Sequence, residues 1–200
     1  MPKLDLYKTH RTEYLAPKAP VLVTVKPAKY LVIAGQGAPS QPGFRRAIGA
    51  LYAMAFTIKM ARKFAGRDYV VTKLEGLWWG ERHGRLLIDE PKSRWRWKLM
   101  IRVPPFISET DRRPALALLR SRGKDPLVGQ VKLETLREGR CVQILHLGPY
   151  DAEHESIGRM MALVREQGRR PRGRHHEIYL SDPRRVPAAR LKTILRHPVT

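Results

Sequence analysis

Apolar and polar residues alternate along this chain in short stretches. In SRWRWKLMIRV (93–103), Trp95, Trp97, Leu99, Ile101 and Val103 share one parity, while Arg94, Arg96, Lys98 and Arg102 share the other, interrupted by Met100. That period of two predicts a half-buried antiparallel strand whose basic face meets water. VLVTVKPAKYLVIAGQG (21–37) holds two β-branched runs split at Lys26-Pro27, hence two strand pieces. DYVVTKLEGLWW (68–79) predicts another strand, with Gly76 at a bulge. Residues 81–92 then form the loop that joins it to the next strand. GQVKLETL and RCVQILHLG predict a hairpin around Arg137-Glu138-Gly139, and HHEIYLSDP and RLKTILRHPV supply the last two strands.

A helical period appears three times. In PGFRRAIGALYAMAFTIKMARKFAG (42–66), Phe44, Ile48, Leu51, Ala55 and Ile58 recur at spacings of three and four; Pro42 suits the first turn and Gly66 the stop. SETDRRPALALLRSRG (108–123) reads as a short helix capped by Ser108, with Asp111 in a capping-box position and Pro114 marking the first turn. Asp151 is expected to cap AEHESIGRMMALVREQG, whose buried stripe is Ile157, Met160, Met161 and Val164.

The order is strand, helix, strand, strand, then a link, then the same again. RRAIGALYAMA in the first long helix is echoed by HESIGRMMALV in the other. The pattern predicts an α+β fold of two βαββ repeats, with helices packed on one face of the antiparallel sheets. Residues 1–20 are a polar arm, and 21–200 a single domain: repeat one over about 21–104, a linking helix over about 108–123, repeat two over about 128–198.

Charge adds a rival. With 39 Lys and Arg against 18 Asp and Glu, the formal net charge is +21, which favours anionic partners. In RWRWK, however, rings and charges fall on opposite faces, whereas a base-stacking platform needs them together. Nucleic acid is therefore expected as a weak, nonspecific, salt-sensitive partner only. Cys141 alone forms no internal disulfide, and the N-terminus lacks an apolar signal region. The longest apolar patch is too short to span a bilayer and contains Lys59, so a cytoplasmic protein without a membrane partner is expected, as monomer or homodimer.

All four tryptophans lie in TKLEGLWWGE and RWRWKLMIRVP. In HHEIYL, His176, Ile178 and Leu180 share one face, and His175, Glu177 and Tyr179 the other. If the aliphatic face lies under the helices, Glu177 and Tyr179 look outward, and by the same logic so do Tyr69, Glu75 and Trp79. A bulge at Gly76 would exchange Trp78 and Trp79. A wet strand explains one glutamate. Acids and large rings on the same face of both repeats fit a small-molecule pocket better. His146, His154, His175 and His176 lack metal-ligand spacing, Cys141 opens a buried strand, and GQG is too short for a phosphate loop, so neither metal nor cofactor is expected.

HLGPYDAEHESIGRM followed by HHEIYLSDPRRVPAARLKTILRHPV resembles the C-terminal half of a GyrI-like small-molecule-binding domain. YLVIAGQG, the long helix and KLEGLWW resemble the N-terminal half of its stand-alone members. The resemblance implies pseudo-twofold symmetry of two SHS2-type repeats around a central ligand cleft, with Glu177 and Tyr179 as candidate catalytic residues. Glu75, Trp78, Trp79, Tyr69, Tyr150, Trp97 and His146 are then expected around a hydrophobic aromatic ligand. Some stand-alone relatives are cyclopropanoid cyclopropyl hydrolases, which open the strained ring of DNA-alkylating natural products and so detoxify xenobiotics. Others are non-catalytic ligand sensors fused to DNA-binding domains, and residues 1–20 hold no helix-turn-helix of that kind. Both functions stay open on the resemblance.

Overall fold

The computed structural model describes residues 3–80 and 90–200; most of the expected loop over 81–92 lies outside the described residues. Among the described residues, eight strands build one antiparallel sheet: β1 (Val21–Val25), β2 (Ala28–Gln36), β3 (Leu74–Trp79), β4 (Arg96–Val103), β5 (Lys132–Leu136), β6 (Gly139–Leu147), β7 (His175–Tyr179) and β8 (Lys192–Pro198). Their order is β1-β6-β8-β7-β3-β4-β2-β5. The two βαββ halves, β2-β4-β3 and β7-β8-β6, thus mirror each other across the β3–β7 seam. The edges are exchanged: β1 pairs with β6 of the second half and β5 with β2 of the first. The expected hairpin of β5 and β6 around Glu138 is therefore not formed, because each strand finds its partner elsewhere in the sheet.

One row across the sheet reads Ile144, Leu195, Glu177, Gly76, Leu99, Ile33, each opposite the next. Cross-strand neighbours share a face, so all six point the same way. On that face, α3 (Pro42–Phe64) and α4 (Glu109–Ser121) cover Leu31, Ile33, Leu99 and Ile101, while α5 (Glu153–Glu166) covers Val142, Ile144 and Leu195. Pro42 opens α3 and Gly66, at φ +77°, follows its end. The Ser108–Asp111 capping box is present at α4, which begins at Glu109 with Pro114 inside it rather than at its start. Asp151 does not cap α5; it lies in a preceding 3₁₀ turn and pairs with Lys92 at 2.8 Å.

The opposite face is covered too. Two short helices, α1 (Leu6–Thr9) and α2 (Arg11–Tyr14), bury Leu6, Glu13 and Tyr14. Beneath them Arg102 donates to Glu13 at 2.6 Å, His176 bridges Glu75 and Glu138 at 3.0 Å each, and Arg196 reaches Glu138 at 3.2 Å and the Glu13 carbonyl. The basic face of β4 is thus wet only in part, since Arg102 is drawn under the arm.

Candidate functional site

The seam between the two halves carries the side chains of interest. Glu177 occupies the middle of the helix-side row, between the α3 and α5 walls. A cleft of about 2010 Å³ opens over it, lined by Phe44, Ile48 and Tyr52 of α3, by Ile157 and Met161 of α5, and by Trp78, Trp95, Tyr150 and Tyr179. Trp78 Nε1 donates to the Tyr179 hydroxyl at 2.9 Å, Phe44 stacks on Trp78 at 5.7 Å, and Tyr150 meets Tyr179 edge-on at 5.9 Å. Gly76 lies in the same row without a bulge: its register with Leu99 and Glu177 is continuous. A Cβ there would sit 2.9 Å from Trp78 Nε1 and 3.0 Å from the Tyr179 hydroxyl oxygen. The glycine is what lets indole and phenol meet over the seam.

Of the residues singled out in the sequence, the structure brings together Glu177, Tyr179, Trp78 and Tyr150. Glu75 lies on the other side of the sheet from the expected one. It pairs across from Ile178, faces the N-terminal arm, and is fully buried between His176 and the Tyr14 hydroxyl. The aliphatic side of β7 packs under that arm, so the acidic side looks towards the helices and not away from them. Trp79 also takes the opposite parity, because Gly76 makes no bulge; it sits at the rim with the Arg174 guanidinium 3.6 Å over its ring. Tyr69 packs in the core against Phe106, and Trp97 is buried edge-on to Phe44, so neither lines the cleft. His146 is also set back: its ring nitrogens lie 3.0 Å from Ser156 Oγ and 3.1 Å from the Pro149 carbonyl, bracing the turn that presents Tyr150. Met161 reaches the cleft wall, although it reads as core in the sequence.

Two further groups were not apparent as site residues. Glu153, the first residue of α5, is only 6% exposed and its Oε1 has no hydrogen-bond partner. His175 lies beside Glu177, both side chains 12% exposed, with Nε2 3.6 Å from Glu177 Oε1 and likewise unpartnered. One atom each of Glu153, His175 and Glu177 fall within 4.8 Å of one another. That spacing suits a small cation, and it equally suits two carboxyls competing for one proton. Glu153 at a helix start looks like an ordinary dipole-compensating acid. That dipole favours the anion by about 0.3–2 kcal/mol, less than the several kcal/mol that burial of an unpaired charge costs.

The electrostatics follow from burial. Burial raises the Glu177 carboxyl, against the pull of Tyr179, His176 and Trp78. Burial raises Glu153 further, with Glu177 and Asp151 adding to it. His175 is pushed down to about 3 by burial and by His197, so it is neutral at ordinary pH. On the other face burial would lower His176, but Glu138 and Glu75 raise it to about 9. Adjacent residues of one strand thus sit in opposite regimes, a paired cation on one side and an under-paired acid on the other.

The description "GyrI-like small molecule binding domain" belongs to the family model that matches residues 18–200. Among solved structures, an uncharacterized conserved protein from Listeria innocua is 34% identical, with TM-score 0.92 over 99% of this chain and 100% of that one. A hydrolase from the same organism is 33% identical, with TM-score 0.90 and full coverage of both chains. The C-terminal domain of EcmrR shares the fold at TM-score 0.61 and 13% identity, over 90% of this chain and 96% of that one. No curated protein matches the chain.

Proposed function

The chain belongs to the GyrI-like small-molecule-binding family, and on that premise we propose that its cleft takes a hydrophobic aromatic molecule and adds water to an electrophilic, cyclopropanoid one. The observation that carries the reading is the Glu177 carboxyl, held among aromatic rings in the middle of the cleft floor. A carboxyl raised by burial exchanges protons closer to neutrality than an ordinary one. The aromatic walls supply stacking area for a flat ligand. The hydrolase name of the Listeria relative at 33% identity points the same way for that protein.

In the proposed step, a water oxygen bonds to the strained ring carbon. The ring C–C bond breaks, and its electron pair moves to the oxygen of a conjugated ketone. Glu177 takes the proton from water, and the ketone oxygen takes up one proton. The sum is addition of one water, with no oxidant and no external nucleophile. Tyr179 accepts from Trp78 and shares the cleft face of β7 with Glu177, placed to orient the base. Such a reaction asks the protein for positioning and charge stabilisation, which a preorganised cleft provides. Its physiological consequence would be removal of genotoxic compounds.

The experiment follows ring-opened product by mass spectrometry, with cyclopropanoid substrate in large excess. Wild type is expected to turn over many equivalents. Glu177→Gln is expected to lower the rate ~10²-fold or more, while tryptophan fluorescence still reports binding. At most one equivalent from wild type would replace this reading with that of a non-catalytic binder or sensor module.

A further inference from the structure

We propose that Glu153 is the proton donor of this cleft, a carboxyl kept protonated beside the Glu177 carboxylate and facing the ketone oxygen of the bound electrophile. The assignment rests on the hydrolytic reading above and completes its proton balance. Glu177 takes one proton from water while Glu153 gives one to the oxygen that becomes anionic as the ring opens. A single proton passing from Glu177 back to Glu153 then restores both groups.

The geometry carries it. Glu153 and Glu177 come from different elements, α5 and β7, yet each places a carboxylate oxygen within 4.8 Å of the other and of a His175 ring nitrogen. Glu153 Oε1 is buried without a partner, and among the described residues no lysine or arginine forms an ion pair with either acid. Two carboxylates this close in a water-poor site do not both ionise, and one holds a proton. Glu177 and Asp151 act on Glu153, Glu153 acts in turn on Tyr150 and Tyr179, and His175 completes the cluster. Asp151 is already engaged by Lys92, Arg184 by Asp182 and Arg174 by the Trp79 ring, while Arg45, Lys73 and Arg96 line the outer walls of the cleft. His175 is neutral beside His197, so it does not supply the compensating charge. The proton falls to Glu153 because its Oε1 has no partner and it feels the charge of Glu177, whereas Tyr179, His176 and Trp78 all pull the Glu177 carboxyl down. Environments that push two acids apart in this way assign the donor and the acceptor.

The test pairs NMR titration of carboxyl-labelled glutamates with pH profiles of cyclopropanoid hydrolysis. In wild type one cleft carboxyl should stay protonated beyond neutral pH. That signal should vanish in Glu153→Gln, and in Glu177→Gln it should titrate at lower pH, because the neighbouring charge is gone. Glu153→Gln should cut kcat ~10²-fold with KM within about threefold. It should lose the alkaline limb of the profile and keep the acid limb, and Glu153→Asp should recover part of kcat. The proposal is overturned if Glu153 titrates as an ordinary carboxylate in wild type, or if the alkaline limb survives in Glu153→Gln. It is also overturned if calorimetry shows saturable binding of Zn²⁺ or Mn²⁺ that both glutamine variants abolish, which would make the cluster a cation site. A wild type that hydrolyses nothing removes the donor role together with the hydrolytic reading. The NMR titration, which needs no substrate and takes its assignment from Glu153→Gln, still shows whether Glu153 is protonated.

Discussion

The two faces of β7 carry the same chemistry to opposite ends. Under the arm, Glu13, Glu75 and Glu138 are set against Arg102, Arg196 and His176, and every one of these residues has a partner within the cluster. Three carboxylates against two guanidiniums balance only if His176 is protonated, which agrees with its pKa of about 9. One residue along, Glu177 faces Glu153 and a neutral His175, and no such balance is reached. The comparison teaches that burial by itself does not make an acid functional. A buried acid with all partners in place holds the fold, and one left short of them keeps its proton in play.

The largest effect expected from this contrast is on stability. Glu138→Gln leaves His176 and Arg196 short of a counter-charge in a fully buried site, and should cost ~3–5 kcal/mol, read from urea unfolding. Glu177→Gln removes an under-paired charge and should change stability by about 1 kcal/mol or less in either direction. Equal losses in the two variants would erase the distinction between the faces. A second effect is pH dependence. His176 is raised from 6.5 to about 9, so its contribution is complete below its unfolded pKa and is lost as pH rises through about 9. Glu138 is lowered to about 2, so its contribution is present above its unfolded value and is lost as pH falls towards 2. Thermal melting should therefore fall off on both the alkaline and the strongly acid side, and His176→Gln should flatten the alkaline decline. Gly76→Ala comes next, at about 1–3 kcal/mol, because the new methyl must displace Trp78 or Tyr179; ligand-induced quenching of tryptophan should weaken with it. Smallest is nucleic acid. Binding of DNA oligonucleotides, measured by anisotropy, should show no sequence preference, and log K should fall by about 0.9 per phosphate contact for each tenfold rise in salt. Selective binding near physiological salt would move the functional weight off the cleft and onto the basic surface.

Much of this was legible in the sequence, with one inversion. The βαββ order, the split at Lys26-Pro27 and the α4 capping box follow from local pattern, and the structure has them. The parity of β7 was read correctly, with His175, Glu177 and Tyr179 together. Alternation says which residues share a side and not which layer covers it. Both sides here are covered, one by helices and one by residues 3–20, whose polar composition gives no sign that Glu13 and Tyr14 are buried. Taking the helices to lie on the aliphatic side placed Glu75 with Glu177, although the row through Gly76 separates them. Glu153 escaped notice because an acid in the first turn of a helix is common, and its neighbour Glu177 lies on the following strand of the same half, where only the tertiary fold brings the two together. Gly76 carried a usable signal, a glycine in a strand beside tryptophans. Its reason is close approach of side chains and not a bulge.

The exchanged edge strands bear on how the chain reaches this state. Val21 of β1 meets Gln143 of β6, and Ala28 of β2 meets Leu136 of β5. During synthesis β1 has no partner until the second half has been made, and the first half lacks the strand that closes its own edge. Contacts this distant in sequence carry a loop-closure cost before any pairing is gained, so folding should be slow and should run through species with open strand edges. Neither half is expected to be stable when expressed alone, and two fragments cut between α4 and β5 should regain the native sheet only when mixed. The duplication visible in the strand order is therefore one cooperative unit in kinetics as well as in space.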